Sequence, residues 1–195
     1  MRCKPLAWLL LFAMLPQLGG CFLAVAGGAA AGARAAHDRR DFGSYVDDKR
    51  IFLGAYDSIN KDKELALKNN VIIVVYNGVM LLVGEVRTPE LKARAERLVG
   101  GFEGTQRIIN QIEVREPESF WSHRRDNTIT LHVKTALFDL TSLEGFDPTR
   151  VNITTAHRVV YLMGKVTHEE DDAVVGVARE VSGVERVVKA FEYLD

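Results

Sequence analysis

The sequence is poor in several things, and each shortage excludes something. There are two cysteines, Cys3 and Cys21, in 195 residues. Cys3 sits in a stretch with the layout of a leader, so the mature chain has no second thiol for a bridge, and packing must hold the fold. The apolar run from Ala7 to Leu15 is about half the ~20 residues a membrane-spanning helix needs. Charge of one sign is missing too: 25 Lys and Arg stand against 26 Asp and Glu. Without Arg2 and Lys4 the basic count is 23 and the balance near −3, which is no nucleic-acid signature. Any contact with an anionic surface must therefore be local.

Catalytic and metal patterns are likewise missing. The five histidines, His37, His123, His132, His157 and His168, fall in a tether, a linker, a helix, a turn and a helix start, and none has metal-ligand spacing. No nucleophile elbow or phosphate loop is present. The acidic run His168-Glu169-Glu170-Asp171-Asp172 reads as first-turn acids that complement a helix dipole. The chain is expected to be a non-enzyme, with no cofactor and no metal.

What is present starts with the amino terminus. Arg2 and Lys4 precede the apolar run, and LPQLGGC (15–21) follows it. That order is a secretory signal. Leu18-Gly19-Gly20-Cys21 resembles the bacterial lipobox, which implies a leader over 1–20 and acylation of Cys21, palmitate included. Residues 22–36 are rich in Ala and Gly. With Cys21 they open a tether over 21–45, and a flexible chain of that length has an r.m.s. span of roughly 27 Å.

Internal similarity organises the remainder. VIIVVYNGVMLLVGEV (71–86) aligns without gaps on VNITTAHRVVYLMGKV (151–166), and both end in V-x-x-L-x-G-x-V. Further on, FEGTQRIIN (102–110) matches VSGVERVVK (181–189). The chain is a duplication of a unit of about 70 residues. Apolar spacing predicts a helix over 47–60, strands at 71–76 and 79–86 joined by an Asn77-Gly78 hairpin turn, and a helix from Thr88-Pro89 to about Val99. A strand over 106–114 closes the unit. The second copy predicts a helix over 126–138, a capping box at Thr167–Glu170 and a last strand at 184–193. His157-Arg158 replaces Asn-Gly poorly, so a longer or differently shaped turn is expected there. REPESFWSHRRD (115–126), charged and containing Pro117, joins the copies.

The αββαβ order, the V-x-x-L-x-G-x-V hairpin and the closing G-x-x-R-[IV]-[IV] strand resemble the BON domain. Two such units behind a lipobox and an Ala/Gly tether are similar to the dual-BON outer-membrane lipoproteins. Asp38-Arg39-Arg40-Asp41-Phe42-Gly43-Ser44-Tyr45-Val46-Asp47-Asp48 looks like their D-x-R-x-x-G-[ST]-x-V-D-D. The resemblance implies an α+β chain of two tandem BON domains, at 46–115 and 126–195 with a linker at 116–125. Each would have a three-stranded sheet and two helices on one face. It also implies a lipid anchor at the periplasmic face of the outer membrane, consistent with Phe22 and Leu23 after the cysteine.

One helix face has apolar residues to spare. In the second copy, Ile129, Val133 and Ala136 should face the core, while Leu131 and Phe138, flanked by Thr128 and Thr135 with Lys134 beside them, point away. That composition suits a headgroup region. The first copy's helix offers only Leu53 there. The dual-BON resemblance implies this same helix for anionic phospholipid, phosphatidylglycerol or cardiolipin, with Thr128 at the place where relatives carry a Trp that enters lipid. Trp121, in the linker, could substitute if the linker folds back. The alternative for Trp121, Leu131 and Phe138 is an interface between the domains. The alternative for the whole chain is an adaptor for outer-membrane assembly or division proteins.

Overall fold

The computed structural model describes residues 39–117 and 119–194; Cys21, the leader and most of the tether lie outside the described residues. From Phe42 onward the chain repeats one plan twice. In the first copy α1 (Phe42–Lys61) and a short α2 (Lys63–Lys68) precede β1 (Asn70–Tyr76) and β2 (Val79–Val86). Then come α3 (Pro89–Val99) and a closing strand in two pieces, β3 (Arg107–Asn110) and β4 (Glu113–Val114). In the second copy α4 (Phe120–Ala136) runs into a 3₁₀ turn (Leu137–Ser142). It is followed by β5 (Asn152–Ala156), β6 (Val159–Val166), α5 (His168–Glu180) and β7 (Arg186–Tyr193). In each sheet the second strand is central, antiparallel to the first and parallel to the last.

Local chemistry explains most boundaries. Thr88 caps α3 by accepting from Leu91 N at 3.3 Å, with Pro89 in the first turn. The Thr167–Glu170 capping box forms both ways, at 3.1 and 2.8 Å. Gly84 has φ +106° and its Cα lies so close to β1 that an added Cβ would meet Asn70 O at 2.1 Å, so only glycine fits. The break between β3 and β4 follows from Asn110, whose Oδ1 accepts from Ile112 N at 3.2 Å. That bond turns the backbone locally out of the ladder.

Four expectations need correction. Both first helices begin earlier than their apolar spacing suggested, at Phe42 and Phe120, because their first turns lie at the surface, with Phe42, Val46 and Trp121 exposed, and carry no core period. The short α2 was not foreseen; Asp62 caps it, accepting from Glu64 N and Leu65 N. The strand expected over 106–114 is interrupted. Finally, His157-Arg158 forms as short a turn as Asn77-Gly78. All four residues have positive φ, 51° and 60° against 48° and 73°.

A buried aspartate makes the two turns equivalent. Asp126 on α4 accepts from His157 N at 2.9 Å and Arg158 N at 3.0 Å. Asp48 on α1 accepts from Asn77 N at 2.6 Å and Gly78 N at 2.8 Å. Each first helix thus clamps its own hairpin by charge-assisted bonds to two amides that no strand partner reaches. Arg158 adds a bond from Nε to Gly183 O at 3.0 Å and an ion pair to Glu185.

The sheets have two buried faces. On one, Met80, Leu82 and Val86 pack with Ile51, Ala55, Leu91 and Ala95 of their own helices. Val160, Leu162 and Val166 do the same with Ile129, Val133, Val174 and Ala178. On the other face, Tyr76, Val79, Leu81 and Val83 meet Ala156, Val159, Tyr161, Met163 and Ala190 in one shared cluster. The two domains therefore stack sheet against sheet, with helices on both outsides, in an α/β/β/α order. β2 is buried along its whole length. Glu85, 1% exposed, meets His157 Nε2 at 2.6 Å and accepts from Asn70 Nδ2 at 3.1 Å. Asn77 Nδ2 reaches Glu192 at 2.8 Å across the same seam.

Candidate functional site

With both sheet faces covered, the outer helix surfaces are the main apolar ground left. α4 spans 17 residues, about 25 Å at 1.5 Å per residue. Its buried side is Asp126, Ile129 and Val133, continued by Leu137. Its outer side carries two rows at intervals of seven: Trp121, Thr128 and Thr135, and beside them Arg124, Leu131 and, in the following 3₁₀ turn, Phe138. Trp121 is 72% exposed, Leu131 61% and Phe138 55%.

Of the expected contact residues, Trp121, Thr128, Leu131, Lys134 and Thr135 lie on α4 and Phe138 in the 3₁₀ turn that continues it, which changes the account of Trp121. The linker does not need to fold back, because Trp121 and His123 belong to α4 itself. The domain–domain alternative for Trp121, Leu131 and Phe138 fails, since the sheets make that interface.

The threonines make the face less polar than it reads. Thr128 Oγ1 donates to Arg124 O at 3.0 Å and Thr135 Oγ1 to Leu131 O at 2.9 Å. Thr141 Oγ1 likewise donates to Phe138 O at 2.9 Å. Their hydroxyl hydrogens are satisfied within the helix, so moving the face into a less polar medium does not strand them. Arg125, His132 and Lys134 lie exposed along its margins.

The acidic helix start behaves as expected of a cap, with one addition. Glu170 closes the capping box, and Asp171 turns inward, where Lys189 Nζ reaches it at 2.8 Å and Tyr193 OH at 2.7 Å. That carboxylate raises the pKa of Lys189 and of Tyr193, by hydrogen bonding first in both. Among the described residues no group of three or more His, Cys, Asp and Glu could hold a metal ion. No described helix is long and apolar enough to cross a membrane.

Comparison with known proteins agrees with this architecture. The family model for the BON domain matches twice, over 55–116 and 125–195. The chain belongs to the BON domain family. It is 33% identical over 178 residues, 91% of each chain, to the outer membrane lipoprotein DolP of Haemophilus influenzae. It is 31% identical over 157 residues, 80% of this chain and 79% of the other, to a 21 kDa hemolysin of Actinobacillus pleuropneumoniae. A solved structure of CdsD, a structural protein of the type III secretion system of Chlamydia trachomatis, is far more distant. It has 13% identity, a TM-score of 0.27, and coverage of 74% of this chain and 92% of its own. With two BON domains and this likeness, the chain is a DolP-like, lipid-anchored outer-membrane lipoprotein.

Sequence reasoning missed two features of this BON pair. One is the clamping aspartate, whose only signal was an acid at the matching place in both copies. The other is the outer face of α1. Because that helix starts at Phe42, it exposes Phe42, Val46, Leu53 and Tyr56 rather than Leu53 alone.

Proposed function

We propose that this lipoprotein binds anionic phospholipid, such as phosphatidylglycerol or cardiolipin, through the outer face of α4, and thereby supports outer-membrane integrity as a non-enzymatic protein. In this reading residues 1–20 are the leader and Cys21 carries the anchor. The observation that carries it is the single exposed face on which Trp121, Thr128, Leu131, Thr135 and Phe138 lie together, with Arg125 and Lys134 at its margins. An indole and two apolar side chains are suited to the headgroup boundary, and the cations to phosphate. Fully burying one Leu or Phe side chain contributes about 1.5–3 kcal/mol, so partial insertion of three gives a weak contact. Anchoring then raises the effective concentration of the surface enough to occupy it.

The test is flotation of residues 22–195, made without lipid, on vesicles with and without phosphatidylglycerol and cardiolipin, at low and high salt. Salt-sensitive flotation on anionic vesicles alone is expected, because screening weakens exposed charge pairs. Absence of flotation on both would turn the search to protein partners.

A further inference from the structure

A second outer helix face remains. On α1, Phe42, Val46, Leu53 and Tyr56 are each between 48% and 60-odd per cent exposed and lie along one side, opposite Ile51, Ala55 and Ile59. Phe52 stacks on Tyr56 at 5.9 Å. Lys49 lies within the stripe, its Nζ 5.6 Å from the Tyr45 ring centroid. Two of the flanking cations are paired, Arg50 with Asp47 at 3.2 Å and Lys61 with Asp57 at 2.5 Å. This is an apolar stripe of low net charge, unlike the cation-edged face of α4.

We infer that the α1 stripe is a second membrane contact, which rests on the bilayer that holds the chain's own anchor without needing anionic lipid. The inference relies on the anchor proposed at Cys21. Two arguments favour the bilayer as occupant. First, the stripe begins at Phe42, just 21 residues after Cys21, a distance the chain covers in at most ~75 Å when fully extended. The first exposed aromatic is thus the first residue of the folded body that the anchored chain delivers. Second, the four side chains expose on the order of 400 Å², half of the ~800 Å² per partner that a stable dimer buries. A second copy would gain too little, whereas an anchored surface needs only weak affinity.

The layer order adds a consequence. The α1 and α4 faces point in opposite directions across two stacked sheets, separated by roughly 30 Å at ~10 Å per layer. One flat bilayer cannot hold both. The anchored protein therefore has two alternative poses, one independent of salt and headgroup charge and one dependent on both.

The mature chain has one tryptophan, Trp121, which makes the poses separately readable. Lipidated full-length protein carrying Trp121→Phe and Phe42→Trp is reconstituted in phosphatidylcholine vesicles with or without brominated acyl chains. Quenching of the new indole at least twofold by the brominated lipid is expected, unchanged in high salt and lost on adding Leu53→Asp and Tyr56→Asp. Tyr56→Trp in the same background is a second reporter, and thermal melting by circular dichroism verifies the fold of each variant. Equal fluorescence in brominated and plain vesicles overturns the inference. If stripe-dependent self-association then appears by sedimentation, the occupant is a second copy. Trp121 quenching in the otherwise unaltered protein on anionic vesicles reports the α4 reading, and mass spectrometry of the acylated terminus reports the anchor, so each can fail alone.

Discussion

At the scale of single residues, the two clamping aspartates explain how one fold tolerates unlike turns. Asn77-Gly78 enters the positive-φ region with little strain, but His157-Arg158 does so at roughly 1–2 kcal/mol per residue, offset by the bonds to Asp126. Asp126→Ala should therefore destabilise by about 2–4 kcal/mol, from two lost charge-assisted bonds, and by more than Asp48→Ala; urea unfolding of both variants decides this. Tyr161 gives a pH prediction. Burial raises its pKa above the ordinary ~10 of tyrosine, with Glu113 adding to the shift and Arg186 opposing it. A raised folded value means the contribution is complete below the unfolded pKa and is lost as pH rises through the folded one. Stability should fall above about pH 10, and Tyr161→Phe should flatten part of that fall. Lys189, raised by Asp171, loses its contribution in the same alkaline window, so the Tyr161→Phe effect should be partial.

At the scale of elements, α4 is a two-sided helix whose sides do separate work. Val133 and Ile129 hold it to the sheet, while Leu131 and Phe138 contribute little to the core. Leu131→Asp with Phe138→Asp should leave the melting temperature within a few degrees, since exposed changes usually stay within about 0.5 kcal/mol each. The same pair should abolish flotation on anionic vesicles. Val133→Ala should do the reverse, costing roughly 2 kcal/mol by the cavity it leaves while sparing lipid contact. A parallel loss of stability and flotation in the Leu131, Phe138 variant would mean the outer face is structural.

At the scale of the whole molecule, the shared sheet seam makes the two BON units one cooperative body. A single calorimetric transition is expected. His157→Asn keeps a residue that tolerates positive φ but removes the imidazole that meets buried Glu85 across the seam, leaving it the Asn70 bond. Losing one partner of a buried polar group costs about 1–3 kcal/mol, so this variant should unfold at lower urea, or in two steps if the seam opens first. Either result measures the coupling between the domains.

Repetition and periodicity made the duplication, the central strands, the Thr88 cap and the Thr167–Glu170 box readable from the sequence, because these depend on neighbours a few residues away. The sequence by itself also determined the residue types on the outer face of α4. Tertiary structure decided what covers the second face of each sheet. VMLLVGEV and VVYLMGKV are apolar at successive positions, which marks strands buried on both sides but cannot say by what. It also decided that Trp121 shares a face with Leu131 and Phe138, and that α1 has a stripe of its own, since helix starts at the surface leave no core period to read. The His157-Arg158 turn belongs with these: its strain is local, but the carboxylate that relieves it comes from 31 residues away.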